Sequence, residues 1–235
     1  MTAFFVTATG TDIGKTFVTS GLLRHLKSAN KQAAAIKPVI SGYDPDKAVE
    51  SDVGVLLKAM DETVDDASIA RLSPWRFTAP LSPDVAAARE NREVAFDDLV
   101  SFCRKAAATH ERLLIEGVGG VMVPLDTHHT VLDWMAVLGF PAVLVTGSYL
   151  GALSHALTAV DALLHAGVKI AALVINDSGD HAVPLSDTAA TLHRFLPGIE
   201  LAILPRGAQD LDFAPLAALL FHDPRAEPPK FDLPR

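Results

Sequence analysis

An α/β fold, with a mostly parallel sheet covered by helices on both faces, is predicted by three features of this sequence. Apolar, β-branched runs of strand length alternate with amphipathic helical patterns along most of the chain. The first such run, Ala3-Phe4-Phe5-Val6-Thr7, passes without a gap into a small-residue turn that closes on Gly14-Lys15-Thr16. A later run, Arg112-Leu113-Leu114-Ile115, ends directly in Glu116-Gly117-Val118-Gly119-Gly120.

Taken in order, the strand at Ala3–Thr7 and the turn Ala8–Thr16 lead into a helix in which Val18, Leu22, Leu23 and Leu26 recur at helical spacing. Strand, Gly-rich turn and helix together are the layout of a phosphate-binding P-loop, and hence of a P-loop NTPase fold. Ala33–Ile36 leads into Lys37-Pro38-Val39, a short strand whose proline blocks helix continuation. Ser41–Pro45 reads as a loop, and Ser51-Asp52 caps a helix through Val55, Leu56 and Met60. Leu72–Pro83, punctuated by Pro74, Pro80 and Pro83, reads as an ordered surface loop. Phe96–His110 is an amphipathic helix before the strand at Arg112. The alternation continues with a helix at Val131–Leu138, a strand at Ala142–Thr146, a helix at Ser154–Ala166 and a strand at Ile170–Ile175. A helix near Ser186–Phe195, a strand at Leu201–Leu204 and a helix near Phe213–Leu220 complete it. One domain over residues 1–222 is expected, followed by a Pro-rich, charged tail at 223–235.

The turn carries chemistry because a polyphosphate needs unpaired backbone N–H groups at a helix N-terminus, where the dipole favours negative charge. Gly10 and Gly14 let the backbone approach the anion, Lys15 supplies a mobile cation, and the Thr16 hydroxyl can ligate Mg²⁺. The strict G-x-x-x-x-G-K-[ST] pattern fails, since Thr9 stands at its first glycine. Glu116, at the end of an apolar strand, occupies the slot of a metal-binding carboxylate, or is a strand-end charge beside a flexible turn. Asp52 is a second carboxylate for the metal, or simply part of a helix cap. Lys37 is a solvated strand-end lysine, or a second cation facing the γ-phosphate. Asn176-Asp177 initiates a turn, or reads a nucleotide base.

With 235 residues and 49% hydrophobic content, the chain can bury one sizeable core. Its net charge of −8, without a basic stripe, argues against nonspecific binding to nucleic acid or anionic membrane. Cys103 is the only cysteine, which fits a reducing compartment, and the N-terminal apolar stretch is too short for a signal peptide or a membrane span. A cytoplasmic protein is expected. The nine histidines show no metal-ligand spacing, and no G-x-S-x-G nucleophile elbow occurs.

The motifs also carry a resemblance to a known family. Phe5-Val6-Thr7 with Thr9-x-Thr11-Asp12-Ile13-Gly14-Lys15-Thr16, Lys37-Pro38-Val39 with Ser41-Gly42, and Ser51-Asp52 resemble dethiobiotin synthetases. So do Ser82-Pro83, Glu116-Gly117-x-Gly119-Gly120 with Pro124-Leu125, Asp133-Trp134, Leu150-Gly151 with His155-Ala156, and Asn176-Asp177. The resemblance implies a homodimer that converts 7,8-diaminopelargonate, CO₂ or bicarbonate, and Mg-ATP to dethiobiotin, ADP and phosphate. It implies Lys15, Lys37 and Thr11 as catalytic groups, and Thr16, Asp52 and Glu116 as holders of Mg²⁺. ATP would be bound by Asp12, Ile13, Gly14, Lys15, Thr16, Phe17, Asp52, Glu116, Gly117, Val118, Gly119, Asn176 and Asp177, with Pro205, Arg206 and Gly207 beside the adenine. Ser41 would place substrate amines, and Leu150, Gly151 and Ser154 from the partner subunit would hold the substrate carboxylate at a helix start. Ala8 departs from the family's usual glycine, and Ser154 from the asparagine of some members. The competing possibility is a regulatory ATPase switch of the deviant P-loop class, which carries an extra lysine early in the loop, where this chain has Thr9-Gly10.

Overall fold

The computed structural model describes residues 1–177, 179 and 183–221, so the expected tail at 223–235 lies outside the described residues. The first half runs β1 (Thr2–Ala8), α1 (Lys15–Ser28), β2 (Ala34–Ile36), β3 (Val39–Ser41), a 3₁₀ turn (Pro45–Glu50), α2 (Asp52–Ala59), α3 (Asp66–Leu72), β4 (Trp75–Phe77), α4 (Pro83–Arg89) and α5 (Phe96–Thr109). The second half runs β5 (Arg112–Glu116), α6 (Val131–Leu138), β6 (Ala142–Thr146), α7 (Ala152–His165), β7 (Ile170–Asn176), α8 (Leu185–Phe195), β8 (Leu201–Leu204), a 3₁₀ turn (Asp210–Phe213) and α9 (Ala214–Leu220).

Six strands form one sheet in the order β2-β5-β1-β6-β7-β8, and every pairing in it is parallel. Both faces are covered, because successive side chains of a strand point to opposite sides and both sets are apolar here. Phe5, Leu113, Ile115, Leu144, Leu173 and Ile175 pack on one side with residues of α5 to α8. Phe4, Val6, Leu114, Val143, Val145 and Val174 pack on the other with residues of α1, α2 and α9. Gly21 of α1 lets that helix sit close to the rest of its layer, since a Cβ there would fall 2.0 Å from the Phe213 ring.

Two stretches differ from the sequence expectation. Lys37 and Pro38 do not belong to one strand with Val39. The sheet strand β2 stops at Ile36, and β3 turns away to pair with β4 in a separate two-stranded parallel sheet. Pro38 has no N–H to give a ladder, which suits the break. The proline-punctuated segment from Leu72 to Pro83 is not purely a surface loop: Leu72 and Phe77 are fully buried, and β4 lies within it. Pro83 starts α4, where its missing N–H costs nothing in a first helical turn.

Candidate active site

The parallel register builds the site. β2 pairs β5 with Ile36 opposite Ile115, so the next residue of each strand, Lys37 and Glu116, emerges side by side. β5 in turn pairs β1, with Val6 opposite Glu116, so the loop after β1 lies over the same end of the sheet. This is the carboxyl end of the strands, where open parallel sheets gather their ligands.

The loop from Thr9 to Gly14 takes left-handed backbone at Asp12 (φ 58°) and Gly14 (φ 103°), a curl of the kind that turns successive N–H groups inward as an anion nest. Gly14 forms the start of α1, with no side-chain cap on its first turn, so these donors remain for a ligand. Ala8 raises no conflict with the family's glycine. It is the last residue of β1, fully buried and not left-handed, so its Cβ is accommodated in ordinary strand geometry. Gly120 is pressed against the loop, and a Cβ there would come within 3.2 Å of Gly10 Cα.

Four ionic side chains and a hydroxyl converge beside the loop. Lys37 Nζ lies 2.8 Å from Glu116 Oε1 and 3.0 Å from Asp52 Oδ2, and donates to the Gly117 carbonyl at 2.9 Å. Thr16 donates its hydroxyl to Glu116 Oε1 at 2.6 Å. Lys15 Nζ donates to the Gly119 carbonyl at 2.7 Å. Lys37 and Glu116 are only 3% and 0% exposed as side chains, so this is a buried charge cluster whose water has been replaced by protein groups. Burial pulls the Lys37 pKa down, but the Glu116 and Asp52 carboxylates outweigh it and the net shift is upward. For Asp52, burial pushes upward, and the Lys37 ammonium outweighs it to leave the carboxyl below its usual value. Lys15 is lowered to about 8, first by burial and then by repulsion from Lys37.

Ser51, not Asp52, caps α2: its hydroxyl accepts from the Gly54 N–H at 3.2 Å. Asp52 is thereby left free of capping duty and turned to Lys37. Glu116 Oε2 is buried without a hydrogen-bond partner. An unpartnered buried carboxylate oxygen, a second carboxylate and a hydroxyl are hard oxygen donors of the type Mg²⁺ prefers.

Lys15, Thr16, Lys37 and Asp52 line a cleft of about 730 Å³ together with Thr11, Asp12, Gly14, Ser41, Val118 and Gly119, and Glu116 lies buried behind them. Its far wall is Ile40, Gly42, Pro80, Leu81, Ser82, Pro83 and Val123. Of that wall, sequence reasoning tied only Gly42 and Ser82-Pro83 to the family's motifs, and read Pro80 only as loop punctuation. Pro80 and Leu81 carry no periodic signal and are brought in by the fold of the β4–α4 connection.

The remaining predicted residues fall in several places. Ile13 lies within the loop and Phe17 in the first turn of α1, tilting against Phe213 with ring centroids 5.7 Å apart. Asn176 ends β7 and donates from Nδ2 to the Ile13 carbonyl at 3.0 Å; Asp177 follows, its N–H bonded to the Leu204 carbonyl at 3.0 Å. Pro205, Arg206 and Gly207 form the turn after β8, adjacent to Asp177 through that bond, and a Cβ on Gly179 would meet the Arg206 guanidinium. Leu150, Gly151 and Ser154 sit at the start of α7, outside the lining of this chain's own cleft, with Leu150 86% exposed. Gly117 keeps its backbone against Phe5, whose ring a Cβ would meet at 2.8 Å.

No helix among the described residues is long and apolar enough to cross a membrane. Cys103 is fully buried, and burial pushes its thiol pKa up.

Among solved structures, the chain is similar to a ParA family ATPase from Chlorobium tepidum TLS, with a TM-score of 0.52, 15% identity, and coverage of 94% of this chain and 95% of that one. It is also similar to the cell division ATPase MinD of Pyrococcus furiosus, with a TM-score of 0.50, 16% identity, and coverage of 97% and 93%. These likenesses show the P-loop NTPase fold. The model of an AAA domain family matches residues 2–209. Among curated proteins, ATP-dependent dethiobiotin synthetase BioD of Acidiphilium cryptum (strain JF-5) is 50% identical over 198 residues, 83% of this chain and 89% of that protein. The protein of the same name from Methylobacterium nodulans is 43% identical over 226 residues, covering 92% of this chain and 100% of that one. Identity at this level extends over most of both chains, and the chain therefore belongs to the ATP-dependent dethiobiotin synthetase family.

Proposed function

We propose that this enzyme closes the ureido ring of dethiobiotin from 7,8-diaminopelargonate, CO₂ and ATP, releasing ADP and phosphate. The observation that carries the proposal is the convergence of Lys15, Thr16, Lys37, Asp52 and Glu116 around a phosphate loop, beside a cleft that reaches Thr11 and Ser41.

An amine of the substrate captures CO₂ as a carbamate, the carbamate oxygen takes the γ-phosphoryl group of ATP, and the second amine closes the ring by expelling phosphate. Each step gathers or moves negative charge. Lys15 and the N–H groups of Asp12 to Thr16 bind the β- and γ-phosphates, and Lys37 offsets charge on the phosphoryl group and carbamate. Thr11 and Ser41 orient the carbamate and amines; the Ser41 hydroxyl is buried without a partner and so has its hydrogen bond to give. Mg²⁺, when bound, supplies positive charge to the phosphate oxygens, and Thr16, Asp52 and Glu116 are the side chains suited to hold it. Asn176, with Asp177 and the turn at Pro205, Arg206 and Gly207, reads the adenine. The exposed start of α7, with Leu150, Gly151 and Ser154, serves the substrate carboxylate of a partner subunit in a homodimer; its helix N-terminus favours an anion.

The test is phosphate release from Mg-ATP with bicarbonate, with and without 7,8-diaminopelargonate, followed by mass analysis of the product. Release that requires the diamine, with one dethiobiotin per phosphate, is the expected outcome. ATP turnover indifferent to the diamine would sink the proposal and favour the nucleotide switch.

A further inference from the structure

The Asn176 side chain sits where two parts of the nucleotide site touch. Its amide nitrogen is 3.0 Å from the Ile13 carbonyl, across 163 residues of sequence. The neighbouring Gly14 is left-handed, with φ 103°, and a Cβ on it would lie 2.3 Å from that same nitrogen. The loop and the end of β7 are thus in direct contact, and the contact requires both the glycine and a donor. A carbonyl only accepts, so the nitrogen of the Asn176 amide must face it.

The consequence follows from peptide geometry. The unit joining Ile13 to Gly14 is planar and trans, so the Ile13 C=O and the Gly14 N–H point in opposite directions. Holding the carbonyl toward Asn176 turns the Gly14 N–H away from that side chain, and Gly14 is itself a lining residue of the cleft. Gly14 has no Cβ to restrict its φ, so without an outside contact this peptide plane is among the softest in the loop.

We propose that Asn176 is a positioning residue for the phosphate-binding loop: it orients the Ile13–Gly14 peptide, so that the Gly14 N–H is pre-aimed at the polyphosphate. This rests on the nucleotide reading of the cleft and goes beyond base recognition by the same side chain. It makes one residue serve both ends of the nucleotide, since a base engaged at Asn176 meets a side chain already tied to the loop that grips the phosphates.

A ligand without a base separates the two roles. The experiment measures binding of Mg-tripolyphosphate and of Mg-ATP by calorimetry to the wild type, Asn176→Ala and Asn176→Leu, with amide hydrogen exchange of the 9–17 segment in the ligand-free protein. Losing one hydrogen bond that organises the loop corresponds to about three- to ten-fold weaker tripolyphosphate binding, with faster exchange in 9–17 and unchanged exchange in the β7 strand. Tripolyphosphate affinity within 1.5-fold of wild type, alongside weakened ATP binding, would overturn the proposal and leave Asn176 as a base reader only. Asn176→Leu keeps the bulk against Gly14 and guards against collapse of the alanine variant; a loss in both variants supports the proposal. The function itself fails separately, through diamine-independent ATP turnover in the wild type, which none of these binding measurements involves.

Discussion

Replacing Lys37 by methionine removes the ammonium while keeping an unbranched apolar stem of similar reach. The nitrogen lost is 2.8 Å from Glu116 Oε1 and 3.0 Å from Asp52 Oδ2, and Glu116 is fully buried. Stranding one partner of a buried pair costs about 3–5 kcal/mol when the survivor has no relief. Here Asp52 is 45% exposed and can turn to water, and Thr16 still donates to Glu116. The expected loss is therefore smaller, about 2–3 kcal/mol, or a fall in Tm of roughly 4–12 °C for a chain of this size. Adding Glu116→Gln to Lys37→Met should restore most of that stability, because the buried charge leaves with its partner. Turnover should fall at least ~10²-fold in the single variant, the scale of losing one electrostatic stabiliser, with ATP binding largely kept. The assays are urea unfolding of the single and double variants, and diamine-dependent phosphate release of the single one. Unchanged turnover would remove Lys37 from the mechanism. Equal stability of wild type and single variant would refute the claim that the lysine holds the buried carboxylate.

Lys15→Ala should weaken ATP binding or phosphoryl transfer severely, and a variant with wild-type rate and affinity would refute the phosphate-loop assignment. Gly21→Ala inverts the usual rule for helices: alanine in place of glycine normally gains about 1 kcal/mol, but its Cβ would fall 2.0 Å from the Phe213 ring. A net destabilisation of about 1–3 kcal/mol is expected, and thermal melts should show it reduced when Phe213→Leu is added. Asp133 and Thr130 form a capping box at the start of α6, and the Thr130 hydroxyl and N–H hold the Asp133 carboxyl below its usual pKa. Its contribution is therefore present above the unfolded-state value and lost as pH falls through the lower folded value. Asp133→Ala should cost about 1 kcal/mol near neutral pH, and the gap from wild type in chemical unfolding should narrow as pH falls from about 5 towards 2.

The clearest part of the protein in its sequence is the part whose chemistry is contiguous. The strand, turn and helix around Gly14-Lys15-Thr16 follow each other without interruption, so local pattern alone reported them. The strands at Arg112 and Ala142 were equally legible, because a strand buried on both faces is an unbroken apolar run. The segment from Asp66 to Arg89 was not. Its helices span seven residues each and its strand three, too short for periodicity to declare itself, and its prolines punctuate a chain that is in fact partly buried.

Lys37, Asp52 and Glu116 were each ambiguous as residues, a strand-end lysine, a cap and a strand-end acid. What turned them into one buried cluster was the pairing of β2 with β5 in register, and the capping of α2 by Ser51 instead of Asp52. Nor could the sequence place Asn176 against Ile13, which depends on β7 and β1 lying on either side of β6 in the same sheet. Periodicity records which side of an element is buried and how the backbone turns locally. Which strands become neighbours is decided by the crossovers, and only that order brings charges from distant segments within reach of one another.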